Sequence, residues 1–301
     1  MTIIECVPNF SEGRRPEVVD EIVAAIAVVD GVHVLDRQSD ATHNRSVITF
    51  VGEASAAEEA AFGAIAAAAR LIDLNQHEGA HPRFGATDVV PFVPLAERDM
   101  ALCVETARGL AGRVSRELDI PAYLYEDAAR DPARRNLATV RGGGFEELRE
   151  TIGADPDRAP DEGEPRVHPT AGAVAIGARF PLIAYNVNLE SNDLKLAQRI
   201  AAEIRERDGG FPKLKAIGLA LDDCVQVSMN LTDYRVTSPL DAFEAVRTRA
   251  AEAGVHVRES EVVGLLPLDA LTRIAATALA APTLVRAQVL EARVLDMATS
   301  L

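Results

Sequence analysis

The stretch VVPFVPL (residues 89–95) and the stretch VVGLLPL (residues 262–268) end two similar series of segments in this 301-residue chain. Each series consists of apolar runs whose spacing alternates between that of strands and that of helices. Both follow the order β-α-β-β-α-β, and the first half adds one more helix and strand. The repeat predicts an α/β (α+β) fold made of two ferredoxin-like βαββαβ subdomains.

Residues 153–179, GADPDRAPDEGEPRVHPTAGAVAIGAR, separate the two series and are rich in proline, glycine and charge. This composition disfavours helix and strand, so it predicts a linker or a long loop. We therefore predict an N-terminal subdomain (1–158), a linker with a ligand-binding loop (159–176) and a C-terminal subdomain (177–301). The small, glycine-punctuated end of the segment suits close approach of the backbone to a ligand.

The composition argues against several classes of protein. The formal net charge of −15 and the pI near 4.9 argue against a nucleic-acid partner, which would need a concentrated basic patch. Three scattered cysteines, Cys6, Cys103 and Cys224, fit a reducing compartment better than disulfides or a metal cluster. The amino terminus lacks a signal-peptide pattern, and no apolar run approaches the roughly 20 residues that span a bilayer. We expect a soluble, cytoplasmic protein without a membrane partner.

The stretch HEGAH (residues 77–81) matches H-E-x-x-H, which on a helix is the pattern of a zinc hydrolase. Zinc binding needs His77 and His81 one turn apart on a continuous helix, so that both imidazoles face one ion. Gly79 costs a helix about 1 kcal/mol relative to alanine, and Pro82 pushes His81 towards extended backbone. The longer zinc pattern is not completed further along the chain. We therefore expect no metal site.

Without a metal, His81 has two interpretations. A lone histidine is more often a surface or loop residue than a catalytic one. However, His81 belongs to a rigid His-Pro-Arg loop, followed by Gly85 and Asp88 directly before a buried strand, and chemistry often occurs in such loops. Histidine titrates near neutrality, so His81 could accept and return a proton within one turnover.

Several longer motifs resemble the glutamate formimidoyltransferase (formiminotransferase domain) family, in consistent order along nearly the whole chain. In the first half they are ECVPNFSEG (5–13), HNRSVITFVG (43–52) and LIDLNQHEGAHPRFGATDVVPFVP (71–94). In the second half they are LIAYNVNL (182–189), GGFPKLKAIGL (209–219), QVSMNLTDY (226–234) and SEVVGLLP (260–267). Several long motifs in register are far more specific than HEGAH alone.

The resemblance implies transfer of a formimidoyl group from N-formimidoyl-L-glutamate to N5 of tetrahydrofolate, a one-carbon step of histidine degradation. It also implies tetrahydrofolate as co-substrate, no metal, a homodimer, and two α/β subdomains that face each other across a folate-binding tunnel. The animal members of the family carry a cyclodeaminase domain as well. A chain of 301 residues has no room for one, so that activity is expected in a separate protein.

The resemblance further implies which residues act. The family's H-P-R-x-G-A-x-D motif places its catalytic histidine at His81, and its folate-binding loop falls on residues 160–173. The candidate folate contacts in this loop are Gly163, His168, Pro169 and Gly172. Three residues depart from the family pattern. Glu162 and Glu164 stand in place of Phe and Pro, and Gln38 stands in place of an acid two positions after Asp36.

The chemistry of the reaction requires a group that both accepts and donates a proton. N5 of tetrahydrofolate loses a proton as it attacks, and the glutamate nitrogen must gain one in order to leave. One imidazole can do both, and we assign this role to His81, with Asp40 or Asp88 orienting the ring. Arg45 and Arg83 are candidates for two-pronged hydrogen bonds to the glutamate carboxylates, or for surface salt bridges. Four amides are candidates for binding the pterin edge, or for capping turns: Asn9, Asn44, Asn188 and Asn230.

Three other hypotheses remain open at this point. A related transferase could move a formyl group between 5-formyltetrahydrofolate and glutamate. A folate-binding protein could have lost catalysis, although the complete HPRFGATD string (residues 81–88) argues against this. The zinc hydrolase is the least favoured of the three.

Overall fold

A computed structural model describes residues 2–79 and 83–298, with side chains up to residue 295. The chain forms two compact units, of which the first ends at Phe180 and the second begins at Pro181. Each unit has its own sheet and its own hydrophobic core. Within the described ranges, no helix is both long enough and apolar enough to cross a lipid bilayer.

The first unit is a mixed sheet with helices on both faces. Its strands are β1 (Ile3–Cys6), β2 (Asn9–Phe10), β3 (His33–Asp40), β4 (Arg45–Glu53), β5 (Thr87–Pro94), β6 (Ala122–Glu126) and β7 (Val174–Ala178). Its helices are α1 (Pro16–Ala27), α2 (Ala54–Leu71), α3 (Met100–Leu118), α4 (Leu137–Val140) and α5 (Gly144–Thr151). The strands β1 and β2 lie between β4 and β5 and pair antiparallel with both, and β3 pairs with the outer edge of β4. Strand β7 lies between β5 and β6 and is parallel to both.

The two faces of this sheet are covered differently. Helices α1, α2 and α3 pack on one face, because every second strand residue there is apolar. The buried strand residues on this face are Ile4, Cys6, Ile48, Phe50, Val90 and Phe92. On the opposite face, α4 and α5 contribute Val140 and Leu148 to a smaller cluster that also contains Val89 and Tyr125. Asn9 pairs directly with Val89 across the ladder, so it projects from this second face.

The second unit has a four-stranded antiparallel sheet in the order β11-β8-β10-β9. Its strands are β8 (Ile183–Leu189), β9 (Leu214–Ala220), β10 (Val225–Leu231) and β11 (Val257–Val263). Its helices are α6 (Leu194–Ile204), α7 (Pro239–Glu252), α8 (Leu268–Ala278) and α9 (Leu290–Ala298). Residues 183, 185, 187 and 189 of β8 are buried against the helices, and the residues between them project from the other face.

The predicted α/β class is confirmed. The second unit has the predicted β-α-β-β-α-β order, while the ferredoxin-like assignment of both halves stays a prediction. Strand β3 continues to Asp40, although the residues at its end are polar. Its polar residues Gln38 and Asp40 pair with Val47 and Arg45 of β4. Polar side chains are tolerated in this strand since it is the edge of the sheet and one of its faces is open.

The prediction of a loop throughout residues 159–176 is wrong at its end, because Val174–Ala178 is strand β7. Strands buried on both faces of a parallel sheet show no alternation of polar and apolar residues, so their pattern resembles any small apolar run. Gly177 in this strand lies against Tyr125, and a Cβ atom there would come within 2.6 Å of the ring. The compact units divide between Phe180 and Pro181, after this strand.

Candidate active site

The loop between α2 and β5 contains the HEGAH stretch. Helix α2 ends at Leu71, so His77 lies on irregular backbone rather than on a helix. The Nε2 atom of His77 lies 3.0 Å from the carbonyl oxygen of Asn44. A carbonyl can only accept, so Nε2 carries the hydrogen and donates it. His77 is therefore not part of the continuous helix that the zinc-hydrolase pattern requires. His81, the predicted catalytic residue, lies outside the described residues, as does Pro82.

Asn44 ties this loop to the turn between β3 and β4. Its Oδ1 accepts a hydrogen bond of 2.9 Å from the Gly13 N–H, and its Nδ2 donates to the Glu78 carbonyl at 2.9 Å. Its φ of 49° is in the left-handed region, which asparagine adopts more readily than most residues. A Cβ atom at Gly79 would lie 2.5 Å from the His43 carbonyl oxygen, so the two backbones are in close contact. Both ends of the Asn44 amide are thus used to hold the loop.

Glu12, which the sequence analysis did not select, binds the backbone at the start of α1. Its Oε1 accepts hydrogen bonds of 2.9 Å from the N–H groups of Arg14 and Arg15, and the Arg15 side chain lies 2.5 Å from its Oε2. Burial raises the pKa of Glu12, but the two backbone hydrogen bonds and Arg15 outweigh it, so this pKa lies below the ordinary glutamate range. An ionised, buried glutamate therefore fixes the start of α1.

Asp88 lies at the centre of a buried charged cluster. A β-bulge places one extra residue of β5, Asp88, opposite the step from Asn9 to Phe10 in β2. Bulges re-aim side chains, and the Asp88 Oδ2 lies 2.8 Å from Arg141 and 3.8 Å from Arg45. Its Oδ1 accepts a hydrogen bond of 3.0 Å from the Phe84 N–H. Both carboxylate oxygens of Asp88 are therefore engaged inside the protein.

Arg45 is held on the opposite side by Asn9, whose Oδ1 accepts from the Arg45 Nε at 2.9 Å. Burial lowers the pKa of the Arg45 guanidinium, and Asp88 partly opposes this effect. Arg45 and Arg141 thus approach the same carboxylate, that of Asp88. The sequence analysis had selected Asn9, Arg45 and Asp88 separately, and the structure brings them together with Arg141.

Asp40 lies directly opposite Arg45 across the β3–β4 ladder, but its observed partner is His43. Its Oδ1 accepts from the His43 N–H at 2.8 Å, and its Oδ2 lies 2.7 Å from the His43 Nδ1. Partial burial raises the pKa of Asp40, and the hydrogen bonds from His43 more than compensate, so this pKa is lowered. Gln38 donates to Asp36 at 3.1 Å, so the glutamine in the family's acid position is itself bonded to an acid.

The predicted folate-binding loop adjoins the loop that follows His81. The Ala86 N–H donates to the Ala171 carbonyl at 2.9 Å, and the Ala173 N–H donates to the Phe84 carbonyl at 3.2 Å. Gly172 has a φ of 71°, and a Cβ atom there would lie 2.7 Å from the Phe84 oxygen. Glycine is therefore required where these two backbones meet.

The remaining predicted folate contacts have partners inside the first unit. The Nδ1 of His168 accepts from the Ala171 N–H at 3.0 Å, and burial lowers the pKa of His168. The Pro169 carbonyl accepts from Asn75 at 2.9 Å. Gly163 has a φ of 101°, which favours glycine. This segment of the loop is therefore ordered by its own hydrogen bonds and backbone geometry.

The two glutamates that depart from the family pattern differ in their surroundings. Glu162 lies 2.6 Å from the Nη2 of Arg130, whereas Glu164 is exposed. An ion pair with Arg130 therefore stands where an apolar contact was expected.

Asn188 and Asn230 belong to the sheet of the second unit. Both project from the face opposite α6 and α7. The Oδ1 of Asn188 accepts from Gln226 at 2.9 Å, and Asn230 is exposed. They are therefore on a different sheet from the Asp88 cluster.

Comparison with known proteins identifies the family. The model of the formiminotransferase domain, N-terminal subdomain, matches residues 3–179, and the model of the formiminotransferase domain matches residues 184–292. This chain belongs to the formiminotransferase family. The interval between the two formiminotransferase matches coincides with the division of the chain between Phe180 and Pro181.

Relatives with curated names match over most of the chain. A glutamate formimidoyltransferase of Thermoplasma acidophilum is 51% identical over 91% of each chain. One of Streptococcus pyogenes serotype M1 is 47% identical over 91% of this chain and 92% of its own. A formimidoyltransferase-cyclodeaminase of Mus musculus is 41% identical over 91% of this chain but only 52% of its own. This chain thus covers about nine tenths of each microbial relative and about half of the bifunctional relative.

Proposed function

We propose that this formiminotransferase is a glutamate formimidoyltransferase, which moves the formimidoyl group of N-formimidoyl-L-glutamate to N5 of tetrahydrofolate. The observation that supports this most strongly is the pair of microbial relatives with that name, at 47% and 51% identity over nine tenths of both chains. Tetrahydrofolate is then a co-substrate rather than a bound cofactor. We further propose that the protein is a cytoplasmic homodimer that works without a metal, and that a separate protein carries the cyclodeaminase activity.

In this proposal His81 moves the proton. N5 of tetrahydrofolate attacks the imine carbon and gives up its proton to the imidazole, and the imidazole returns a proton to the departing glutamate nitrogen. Both ends of the segment around His81 are anchored. Glu78 is bonded to Asn44 before it, and Phe84 is bonded to Asp88 after it. A group on such a short, tethered segment can be held within the distance that proton transfer requires.

The two candidate acids receive different roles. Asp88 is buried, and its oxygens are held by the Phe84 N–H and by Arg141, so we assign Asp88 to holding the loop. Both oxygens of Asp40 are bonded as well, to His43, but Asp40 is half exposed and lies at the edge of the sheet beside Arg45. It is therefore the candidate for orienting the His81 ring, in place of the acid that Gln38 replaces.

Arg45 is the candidate for binding a carboxylate of the glutamate substrate. It lies in the buried cluster with Asn9 and Asp88. Guanidiniums bind carboxylates through charge-assisted, often two-pronged hydrogen bonds. Arg83 is paired with Glu146 at 2.5 Å, so we assign it to the loop rather than to the substrate. The pterin is proposed to lie against the loop of residues 160–173.

The proposal is tested by incubating the purified protein with N-formimidoyl-L-glutamate and tetrahydrofolate, with and without EDTA. We expect 5-formimidoyltetrahydrofolate to form at the same rate in both samples. A parallel assay with 5-formyltetrahydrofolate and glutamate measures formyl transfer. If the formyl reaction is the faster of the two, or if EDTA abolishes turnover, the proposed reaction is wrong.

The His81→Ala substitution tests the proton carrier. Its kcat should fall about 10²-fold or more, because general acid–base catalysis contributes about 10²–10⁴-fold. Binding of tetrahydrofolate, measured by calorimetric titration, should be retained. Unchanged turnover in this variant would remove His81 from the mechanism.

A further inference from the structure

Residues 141–146 (RGGGFE) run from just after α4 into the first turn of α5 and contact the loop that follows His81; we call them the glycine strap. Gly143 and Gly144 have φ angles of 74° and 66°, in the left-handed region that favours glycine. A Cβ atom at Gly144 would lie 3.2 Å from the Arg83 carbonyl oxygen. The glycines therefore allow the strap backbone to approach the loop closely.

The glycine strap contacts the loop at both of its ends. The Phe145 N–H donates to the Arg83 carbonyl at 2.9 Å, and the Glu146 carboxylate accepts from the Arg83 guanidinium at 2.5 Å. At the other end, the Arg141 guanidinium lies 2.8 Å from the Asp88 carboxylate. The ring of Phe145 is buried between these contacts. Backbone, salt bridge and packing thus fix residues 83–88 from one side.

These contacts lie close to His81 in sequence, since Pro82 alone separates His81 from Arg83. Proline fixes its own φ angle and restricts the residue before it, so a change at Arg83 is expected to be transmitted along the chain. On the amino-terminal side, Glu78 is bonded to Asn44. Described residues on both sides of His81 are therefore held by hydrogen bonds.

We propose that the glycine strap, through Glu146 and Arg141, holds residues 83–88 in the arrangement that the proposed transfer requires. The proposal rests on the proposed formimidoyltransferase activity. Glu146 and Arg141 act as positioning residues, through Arg83 and Asp88. Loss of the Glu146 contact should loosen residues 83–88 and slow the reaction while both substrates still bind.

The test compares Glu146→Gln with a matched control, Glu59→Gln. Glu59 pairs with Arg113 at 2.5 Å, and the exposed fractions of that pair, 53% and 25%, resemble the 58% and 22% of Glu146 and Arg83. The control pair links α2 to α3, away from the loop. Glu146→Gln should lower kcat about tenfold, since a displacement near 1 Å can cost about 10²-fold. The KM values for both substrates should stay within about twofold, and Glu59→Gln should leave kcat and KM unchanged.

A conservative replacement of Glu146, and whether kcat or KM changes, distinguish a positioning role from direct substrate binding and from general stability. Glu146→Asp keeps the charge and should recover part of the lost kcat. If Glu146→Gln raises KM without lowering kcat, Glu146 binds substrate directly and the proposal is overturned. It is also overturned if Glu146→Gln and Glu59→Gln lose the same kcat, because the effect is then one of general stability.

Hydrogen–deuterium exchange tests the glycine strap without using the reaction. In the whole protein without substrates, amides of residues 83–88 should exchange faster in Glu146→Gln than in the wild type, and not in Glu59→Gln. Equal exchange in all three proteins overturns the proposal. A wild type that lacks transferase activity but shows the expected exchange would refute the proposed reaction alone and leave the role of the strap supported.

Discussion

The Asp88→Ala substitution should lower the free energy of unfolding by about 3–5 kcal/mol, the usual cost of removing one partner from a buried ion pair. The side chain of Asp88 is 3% exposed, and those of Arg45 and Arg141 are 19% and 18% exposed. Without the carboxylate, two shielded guanidiniums repel each other and the Phe84 N–H loses its acceptor. The expected loss is a large fraction of the roughly 5–15 kcal/mol that stabilises a typical domain.

The loss is measured by urea unfolding of the whole protein, followed by circular dichroism, with calorimetry as a second method. For a unit of this size, each 1 kcal/mol shifts the melting temperature by about 2–4 °C, so a fall of roughly 6–20 °C is expected. Asp88→Asn is the matched variant, because its amide oxygen can still accept from the Phe84 N–H. Its cost should therefore lie between those of the wild type and Asp88→Ala.

A double-mutant cycle tests whether the stability lost in Asp88→Ala comes from guanidinium charge that no longer has its carboxylate partner. Replacing Arg141 by methionine in the Asp88→Ala background removes one of the guanidiniums that Asp88 neutralises. The second substitution should then cost less than it does in the wild type, with a coupling of about 1–3 kcal/mol. A loss below about 1 kcal/mol for Asp88→Ala, or strictly additive losses, would refute the electrostatic explanation of this cluster.

Two further substitutions test other parts of the site. Gly172→Ala should cost about 1–3 kcal/mol in urea unfolding, because a Cβ atom would meet the Phe84 carbonyl at 2.7 Å and the backbone has a positive φ; wild-type stability in this variant would contradict the observed close approach. Glu12→Gln tests the lowered pKa of Glu12. At this residue the folded state binds fewer protons than the unfolded chain does. The contribution of the Glu12 charge to stability is therefore present above the ordinary glutamate pKa and is lost as pH falls through the pKa of the folded state. The stability difference between wild type and Glu12→Gln, measured by urea unfolding over a pH series, should therefore shrink on acidification; a difference that does not change with pH would show that the charge of Glu12 contributes nothing.

Regular patterns in the sequence predicted most elements of the fold. The alternating strand β8 and the alanine-rich helix α2 follow such patterns, because each buries one face. Strand β7 was missed, since a strand buried on both faces has no alternation. The polar residues at the end of β3 show no strand pattern, because they gain their partners only from pairing with β4.

The sequence analysis selected Asn9, Arg45 and Asp88 separately, and the fold places them beside one another. Their roles stay predictions. Glu146 gave no signal, because its partner Arg83 lies 63 positions away in the sequence. The same holds for Arg141, whose charge matters only because the fold places it beside Asp88.

The amino-acid sequence by itself determined the family, the α/β class and the order of helices and strands in the second unit. It also predicted that His77 lies off any helix, since Gly79 destabilises a helix and Pro82 disfavours helical backbone at the residue before it. The tertiary structure decided which charges meet and which glycines are required. Such contacts join residues far apart along the chain, and their energies depend on burial, which no local pattern contains.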